Sequence, residues 1–186
     1  MRYPPEHKEK TRRAIIEAAA RLFRERGPDA VGLPDIMASA GLTIGGFYRH
    51  FESKEELFRL ALEHAMQQTV EMMSKKKGTV GREWLGKAAA IYLHPAHRAN
   101  VGGGCPLPML TSEVARRDDG AKERFSNLLE QIVDQVEARL HDADAPRQEA
   151  WGVLATMVGG LLLSRGTADD RLAEEILSSC RKYLEK

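Results

Sequence analysis

Apolar residues recur at three- and four-residue intervals along most of this chain, and glycines and prolines divide the recurrences into separate runs. That spacing is the period of an amphipathic α-helix, whereas the alternation typical of a half-buried strand is almost absent. The pattern therefore predicts an all-α protein of about nine helices, in which three small helices precede a longer helical bundle.

The first two predicted helices lie close together near the N-terminus. Apolar residues between Thr11 and Arg26 share one helical face, and a Gly-Pro pair follows them. A second, shorter helix is predicted from about Pro34 to Ala40, since proline is favoured in a first helical turn. Gly41 follows that run and predicts a tight turn.

The stretch "GLTIGGFYRHFESKEEL", Gly41 to Leu57, places a short helical segment directly after that turn. The segment runs from Ile44 to His50 and begins with two glycines after one apolar residue. Ser53 and Glu56 then have the spacing of a capping box, which predicts the start of a long helix. A short helix, a turn and a second short helix are the layout of a helix-turn-helix.

The second short segment has residues suited to the major groove of DNA. Without side chains at Gly45 and Gly46, its N-terminal N–H groups can approach phosphate oxygens. We expect Phe47 to pack against the first helix, while the next three residues offer a hydroxyl, a guanidinium and an imidazole to phosphates or base edges. The predicted DNA-binding residues are Thr43, Ile44, Gly45, Gly46, Phe47, Tyr48, Arg49, His50 and Lys54.

Three segments of the N-terminal third carry a resemblance to a known family: "AAARLFRERG", "DIMASAGLTIGGFYRHF" and "SKEELF". Together they resemble the DNA-binding domain of the TetR/AcrR family of bacterial transcription regulators. Two departures are visible. The family usually has Thr or Ser where this chain has Val31 and Gly32, and Ile44 stands where a basic or polar residue commonly meets DNA.

The resemblance implies a division of labour along the chain. Residues 1–52 are expected to form the DNA-binding domain, and residues 53–186 a ligand-sensing and dimerisation domain. The last two predicted helices are expected to pair with those of a second copy, so that two recognition helices contact a pseudo-palindromic operator. Glycines within them permit close backbone contact or merely kink a core helix. The predicted dimerisation residues are Trp151, Leu154, Val158, Gly159, Leu162, Ile176 and Cys180.

A second distinctive stretch is "NVGGGCPLPMLTSEVARR", Asn100 to Arg117. Its three glycines suggest conformational freedom, and Cys105 lies at or just before a predicted helix start. A thiol at a helix N-terminus is favoured as the nucleophilic thiolate, and Arg98 or Arg116 would assist. Cys105 is therefore a candidate sensor of oxidants or electrophiles, although a small buried cysteine filling a turn fits the same pattern.

Methionines and a tryptophan are candidates for an adaptable apolar pocket, although such residues are more often plain core. The candidates are Met72, Met73, Trp84, Met109 and Met157. His94 and His97 have a spacing used by metal ligands, but no third ligand stands nearby, so we predict neither a metal site nor a cofactor.

Formal net charge is only +1, yet residues 1–54 hold ten Lys or Arg against seven Asp or Glu. The basic side chains of Lys8, Lys10, Arg12 and Arg13 form either a solvated face or further phosphate contacts. The chain shows no secretory signal and no run long enough to cross a membrane, so we expect a cytoplasmic protein with reduced thiols.

The function predicted from these residues is a homodimeric transcriptional regulator that is expected to act as a repressor. It binds a double-stranded DNA operator and is released by an unknown small molecule or by modification of Cys105. Two alternatives stay open: a thiol-dependent enzyme that uses Cys105, and a helical interaction protein that no longer binds DNA. The first lacks a recognisable base, so we predict no enzyme.

Overall fold

Helices make up nearly all of the regular structure in the computed structural model, which describes residues 5–75, 78–140 and 143–186. The all-α prediction is confirmed. The elements are α1 (Pro5–Arg26), α2 (Leu33–Ser39), a 3-10 helix (Ile44–Arg49), α3 (Lys54–Lys75), α4 (Gly81–Tyr92), α5 (Pro95–Ala99), α6 (Leu107–Ala115), α7 (Asp119–Glu137), α8 (Pro146–Arg165) and α9 (Asp170–Leu184).

A proline and a glycine lie in the first turns of two helices, α5 and α7. Pro95 is the first residue of α5, because His94 caps this helix by accepting a hydrogen bond at Nδ1 from the Ala96 N–H (3.1 Å). Gly120 lies in the first turn of α7, where the Asp118 carboxylate accepts from the Ala121 N–H (2.8 Å). Side-chain caps at His94 and Asp118 therefore fix the starts of both helices, and a proline is favoured at the first helical position.

The three small N-terminal helices pack around a few apolar anchors. Gly41 has φ +73°, a left-handed conformation that allows the tight turn after α2, and Leu42 N–H then donates to the Met37 carbonyl (2.8 Å). Phe47 is fully buried and fixes the 3-10 helix to the core that α1 and α2 share. The predicted turn and short second segment are both confirmed, although the segment is a 3-10 helix.

Helix α3 connects the small N-terminal helices to the rest of the molecule. Ser53 Oγ accepts from the Glu56 N–H (3.0 Å), and the Glu56 carboxylate accepts from the Glu52 N–H (2.6 Å), which confirms the predicted capping box. The Phe23 and Phe58 rings pack 5.7 Å apart between α1 and α3. One continuous core includes residues on both sides of position 52, so the division at residues 52 and 53 stays a prediction.

A second core joins the C-terminal helices. It includes buried residues of α4, α7, α8 and α9, with Leu85, Leu161 and Leu177 among those at most 1% exposed. Gly160 lets α9 approach α8 closely, since a Cβ at this position would lie 2.7 Å from Cys180 Sγ. Within the described ranges, no helix combines the length and hydropathy that a bilayer span requires.

Candidate nucleic-acid interface and internal cavity

The 3-10 helix presents two different sides. Tyr48 is 72% exposed and Ile44 45% exposed, whereas Phe47 is fully buried. Thr43 and Arg49 are also exposed, and the Thr43 side chain makes no capping hydrogen bond. Including Phe47 among the DNA-contacting residues was therefore wrong, because its ring faces the core and anchors the segment.

Gly45 has no neighbour inside the protein that would require a glycine. A Cβ built at this position meets no atom within 4 Å, and its φ is not positive. A Cβ at Gly46, by contrast, would lie in ordinary contact with Met37 Cε at 3.6 Å. The open space beside Gly45 is on the exposed side of the 3-10 helix, so a surface that docks there can approach the backbone directly.

Positive charge collects around this exposed side. Lys8, Arg12 and Arg49 all lie close enough to His50 to disfavour its imidazolium, and together with its burial they lower the pKa of His50. Its Nδ1 atom is buried without a hydrogen-bond partner. Within the described part of the chain, no carboxylate forms an ion pair with Arg49 or Lys54. This surface attracts a polyanion.

The two basic residues in the next turn of α1 are already engaged. The Arg12 guanidinium lies 5.1 Å from the centroid of the Phe51 ring and 3.7 Å from the Glu56 carboxylate. Arg13 pairs with Glu17 at 3.0 Å on an exposed face. Arg12 therefore contributes mainly by supporting the 3-10 helix from behind.

Helices α8 and α9 share an exposed apolar face. On α8, Trp151 is 40% and Leu162 45% exposed, and Gly159 lies between them in open space. On α9, Ile176 is half-buried on the side that also carries Leu172 and Tyr183, which the sequence analysis missed. A face of this kind is typical of a subunit interface.

Three residues of the predicted dimerisation set also make contacts inside their own chain. Leu154 and Val158 are half-buried and pack against the interior of their own chain. The Cys180 thiol faces Gly160 in the contact between α8 and α9. Their part in a dimer interface stays a prediction.

A cavity of about 1180 Å³ lies between α3, α4, α7, α8 and the segment around α5. Met72, Met73, Trp84 and Met157 line it, as predicted for an apolar pocket. Met109 does not line it, because this residue of α6 packs on the core shared with the N-terminal helices. The cavity has the size of a site for an organic ligand.

Cys105 lies at one wall of the cavity, just ahead of α6. Burial raises the pKa of its thiol, although the Tyr92 hydroxyl, the Leu107 N–H and the Arg165 and Arg24 side chains act in the opposite direction. The predicted thiolate is therefore wrong: the helix start is present, but loss of solvation outweighs it.

The neighbours of the Cys105 thiol also differ from those expected. Arg98 bonds to the Ser164 carbonyl and to Asp170, and Arg116 pairs with Glu113, so neither assists the thiol. The buried Tyr92 hydroxyl lies beside the thiol, but their geometry falls short of a normal hydrogen bond.

Close packing explains the three glycines that precede Cys105. None of them has positive φ, so conformational freedom is not their role. A Cβ at Gly102 would lie 2.2 Å from the Glu25 carboxylate, and one at Gly104 would lie 2.6 Å from the Asn100 carbonyl. At Gly102 the segment therefore lies directly against α1, and at Gly104 it folds closely on itself.

His97 holds this segment in place. Its Nδ1 lies 2.7 Å from the Tyr92 carbonyl, and its Nε2 accepts a hydrogen bond from the Cys105 N–H at 3.1 Å. Together these contacts specify the neutral Nδ1–H tautomer, and burial lowers the pKa of His97. No set of three potential metal ligands occurs among the residues described.

Two contacts at opposite ends of α6 connect the cavity wall to the N-terminal helices. Ahead of α6, Arg24 Nε of α1 donates to the Gly102 carbonyl (2.7 Å). Behind α6, Arg117 pairs with Glu55 of α3 and lies 3.7 Å from the Asp29 carboxylate. Its guanidinium also lies 4.6 Å from the centroid of the Phe58 ring. A shift of α6 would therefore reach both α1 and α3.

Comparison with known proteins gives this arrangement a context. Residues 15–61 match the family described as bacterial regulatory proteins, tetR family. The chain is 33% identical over 70 residues to the uncharacterized HTH-type transcriptional regulator YfiR of Bacillus subtilis, covering 38% of this chain and 34% of that protein. It is 40% identical over 60 residues to the HTH-type transcriptional repressor Rv3405c of Mycobacterium tuberculosis, covering 32% of each. Each match thus spans about a third of the relative's length.

The fold extends beyond this matched region. The chain superposes on the crystal structure of a transcriptional regulator of the TetR family from Cytophaga hutchinsonii with a TM-score of 0.79. Sequence identity is 21%, and the superposition covers 98% of this chain and 96% of that structure. The two proteins therefore share the order and packing of their helices along nearly their whole length.

Proposed function

We propose that this chain, whose residues 15–61 match the tetR family of bacterial regulatory proteins, is a homodimeric transcriptional repressor of that family with a DNA-binding surface formed by the 3-10 helix. The observation that carries the proposal is the exposed side of that helix, where the Tyr48 and Arg49 side chains are accessible and the backbone at Gly45 is open. Rv3405c, similar over 60 residues, is named a repressor, which favours repression over activation.

On DNA, this surface has two kinds of contact available. The backbone at Gly45 and the N–H groups at the start of the 3-10 helix approach phosphates, together with Lys54 and the basic end of α1. Tyr48 and Arg49 reach base edges or phosphates, and Ile44 offers its methyl groups to a thymine. Ile44 thus replaces a charged contact without blocking the approach to DNA. Because the operator lies in the bacterial cytoplasm, the protein acts there.

A dimer is needed because one 3-10 helix of six residues contacts few base pairs. We propose that the apolar face of α8 and α9 meets the same face of a second copy and buries Trp151, Leu162 and Tyr183. Such an isologous interface relates the two DNA-binding surfaces by a two-fold axis, as a pseudo-palindromic operator requires.

The cavity and the α6 contacts supply a means of release. We propose that a small molecule in the cavity, or a modification of Cys105, favours a second position of α6 and thereby moves α1 and α3. For a typical coupling free energy of about 1 to 3 kcal/mol, DNA affinity falls by about fivefold to 150-fold. Because Cys105 is buried against the cavity, a reagent has to enter the cavity to reach it.

DNA binding is tested by selecting genomic fragments with the purified protein and measuring the affinity of the recovered duplex by fluorescence anisotropy. We expect recovery of a pseudo-palindrome and at least tenfold weaker binding by Tyr48→Ala with Arg49→Gln. A double change on an exposed surface of α7, Lys122→Gln with Glu123→Gln, is the control and should bind like the wild type. No enrichment of any duplex at low salt would overturn the proposal.

The dimer is tested by sedimentation equilibrium. The wild-type chain of 20.7 kDa should sediment at twice that mass, and Trp151→Glu with Leu162→Glu should sediment as a monomer. A wild-type monomer at micromolar concentration, or a dimer that tolerates both charges, would contradict the proposed interface.

The role of Cys105 is tested by treating the DNA complex with a small benzoquinone. The thiol adds to the quinone by conjugate addition, forming a C–S bond while its proton ends on the resulting hydroquinone. We expect slow release of DNA from the wild type and none from Cys105→Ser, with Cys180→Ser as the matched control. Equal release from Cys105→Ser would show that Cys105 takes no part in the mechanism, and only the cavity ligand would then remain as a cause of release.

The relatives, named as regulators, favour a regulator over a thiol-dependent enzyme.

A further inference from the structure

Charge is distributed one-sidedly around the cavity. Among the described residues that line it, Arg24, Lys87 and Arg139 carry a permanent positive charge and none is acidic. Apolar walls of low dielectric strengthen the attraction between such cations and an anion. The lining therefore favours a negatively charged ligand over a neutral or cationic one.

The three cations are not equivalent. Lys87 is exposed and pairs with Glu83 at 2.6 Å, and Arg139 donates to the Met73 carbonyl at 3.5 Å. Arg24 is only 6% exposed, and its described surroundings include no carboxylate within ion-pair distance. A guanidinium in such a position is costly unless a counter-charge compensates it, so Arg24 gains most from an anionic ligand.

Contacts within the protein offset the burial of the Arg24 charge only in part. Its Nε donates to the Gly102 carbonyl (2.7 Å), which leaves the two terminal nitrogens of the fork without a hydrogen bond among the described residues. Burial lowers the pKa of Arg24, while Cys105 and Glu25 act in the opposite direction. Glu25 itself pairs with Arg21 at 3.2 Å, so the nearest carboxylate is already shared.

The remaining lining is apolar and adaptable. Met72, Met73 and Met157 contribute flexible thioethers, and Trp84 adds a flat aromatic surface. A small inorganic anion leaves most of the 1180 Å³ cavity unfilled and meets none of these groups. A ligand that uses the whole site has both an apolar body and one charged end.

We propose that the cavity binds an amphipathic organic monoanion, whose carboxylate or sulfonate group pairs with Arg24 and whose apolar body lies against Trp84 and the methionines. The inference rests on the proposed function of this cavity as the effector site, and it names the chemical class of the effector. A single negative charge matches the single buried cation that lacks a carboxylate partner.

The position of Arg24 gives this ion pair a direct consequence for DNA binding. Arg24 belongs to α1, whose basic N-terminal end lies beside the 3-10 helix, and it holds the segment ahead of α6 through the Gly102 carbonyl. An anion that pairs with the guanidinium fork draws Arg24 toward the cavity and changes that contact. The ligand thus acts on α1 itself as well as through α6.

The test compares two fluorescent probes that differ by one sulfonate, anilinonaphthalene sulfonate and phenylnaphthylamine, each titrated into the purified dimer without DNA. The wild type should bind the sulfonate at least about tenfold more tightly than the neutral probe, as a charge-assisted contact predicts. Arg24→Gln should abolish that preference by weakening the sulfonate alone. Arg24→Lys should keep most of it, and Lys87→Gln, the matched lining control, should leave it unchanged.

Equal affinity of the wild type for both probes would overturn the proposal even if Arg24→Gln failed to fold. A preference that Lys87→Gln removes and Arg24→Gln retains would overturn it as well, since the anion would then pair with the exposed Lys87 and not with Arg24. This test and the DNA-binding test can fail independently. If the protein binds DNA but shows no preference for the sulfonate probe, only the proposed ligand class is contradicted. If it prefers the sulfonate probe but binds no DNA, only the proposed repressor function is contradicted.

Discussion

The 3-10 helix and the cavity both depend on cations without carboxylate partners, but they hold them in opposite environments. Arg49 is exposed to solvent, while Arg24 is only 6% exposed and lines the cavity. Solvent screens the exposed charge, so its presence costs the fold little free energy. Each such charge also attracts DNA only weakly, so several are needed for tight binding. One buried charge changes the affinity for a charged ligand strongly. The Arg24 side chain, however, is also packed in the interior and donates a hydrogen bond to the Gly102 carbonyl.

The comparison teaches where function and stability separate. At the 3-10 helix, Phe47 supplies the packing and its neighbours Tyr48 and Arg49 remain free to change. In the cavity, Met157 and Arg24 are both buried and lining, so the same residues serve packing and recognition. Substitutions should therefore have separable effects in the first region and mixed effects in the second.

The largest effect is expected where the 3-10 helix is anchored. Phe47→Ala removes a fully buried ring and should lower the free energy of unfolding by about 3 to 5 kcal/mol, measured by urea denaturation at fixed protein concentration. Tyr48→Ala, its exposed neighbour, should change stability by less than about 0.5 kcal/mol. A cost below about 1 kcal/mol for Phe47→Ala would show that the ring does not anchor the segment.

Salt should distinguish the exposed cations from the buried one. Replacing Arg49 by Gln should reduce the slope of log affinity for operator DNA against log salt by about 1, because one phosphate contact is lost. The preference of the cavity for the sulfonate probe should change much less between low and physiological salt. Unchanged DNA slopes in Arg49→Gln would place this side chain away from the phosphates.

The smallest effect is expected from His97, which titrates at the cavity wall. Its folded pKa lies below the ordinary value of 6.5, so the unfolded chain binds the proton more readily. Its contribution to stability is therefore complete above pH of about 6.5 and is lost as the pH falls from there through the lower folded pKa. Urea midpoints of the wild type should fall more between pH 7.5 and 5.5, roughly the range in which histidine titrates, than those of His97→Gln. Identical pH dependence in both would contradict the neutral tautomer.

Local signals in the sequence predicted much of the first region. The tight turn at Gly41, the Ser53 capping box and the inward packing of Phe47 all depend on near neighbours, and each is confirmed in the structure. The one error there was to include Phe47 among the DNA contacts, although its burial was expected. A short segment has room for only one anchor and one exposed side, so its pattern is simple to interpret.

The cavity region was harder to predict because its contacts join distant parts of the chain. Arg24 meets Gly102 across 78 positions, and no local pattern links an arginine at the end of one helix to a glycine turn. The predicted thiolate at Cys105 failed for the same reason, since the helix start is local while the burial that opposes it is not. Met109 was misplaced because spacing does not show which of two apolar faces lines a space.

The measurement that tests the central claim most directly is the affinity of Gly45→Leu for the recovered operator, alongside its thermal melting. Because a side chain at this position meets nothing inside the protein, the variant should melt at or above the wild-type temperature and bind the operator at least about tenfold more weakly. Gly86→Leu on α4, where a Cβ also meets nothing within 4 Å, should bind like the wild type. Wild-type affinity in a well-folded Gly45→Leu protein would contradict the claim that the 3-10 helix approaches DNA through its backbone.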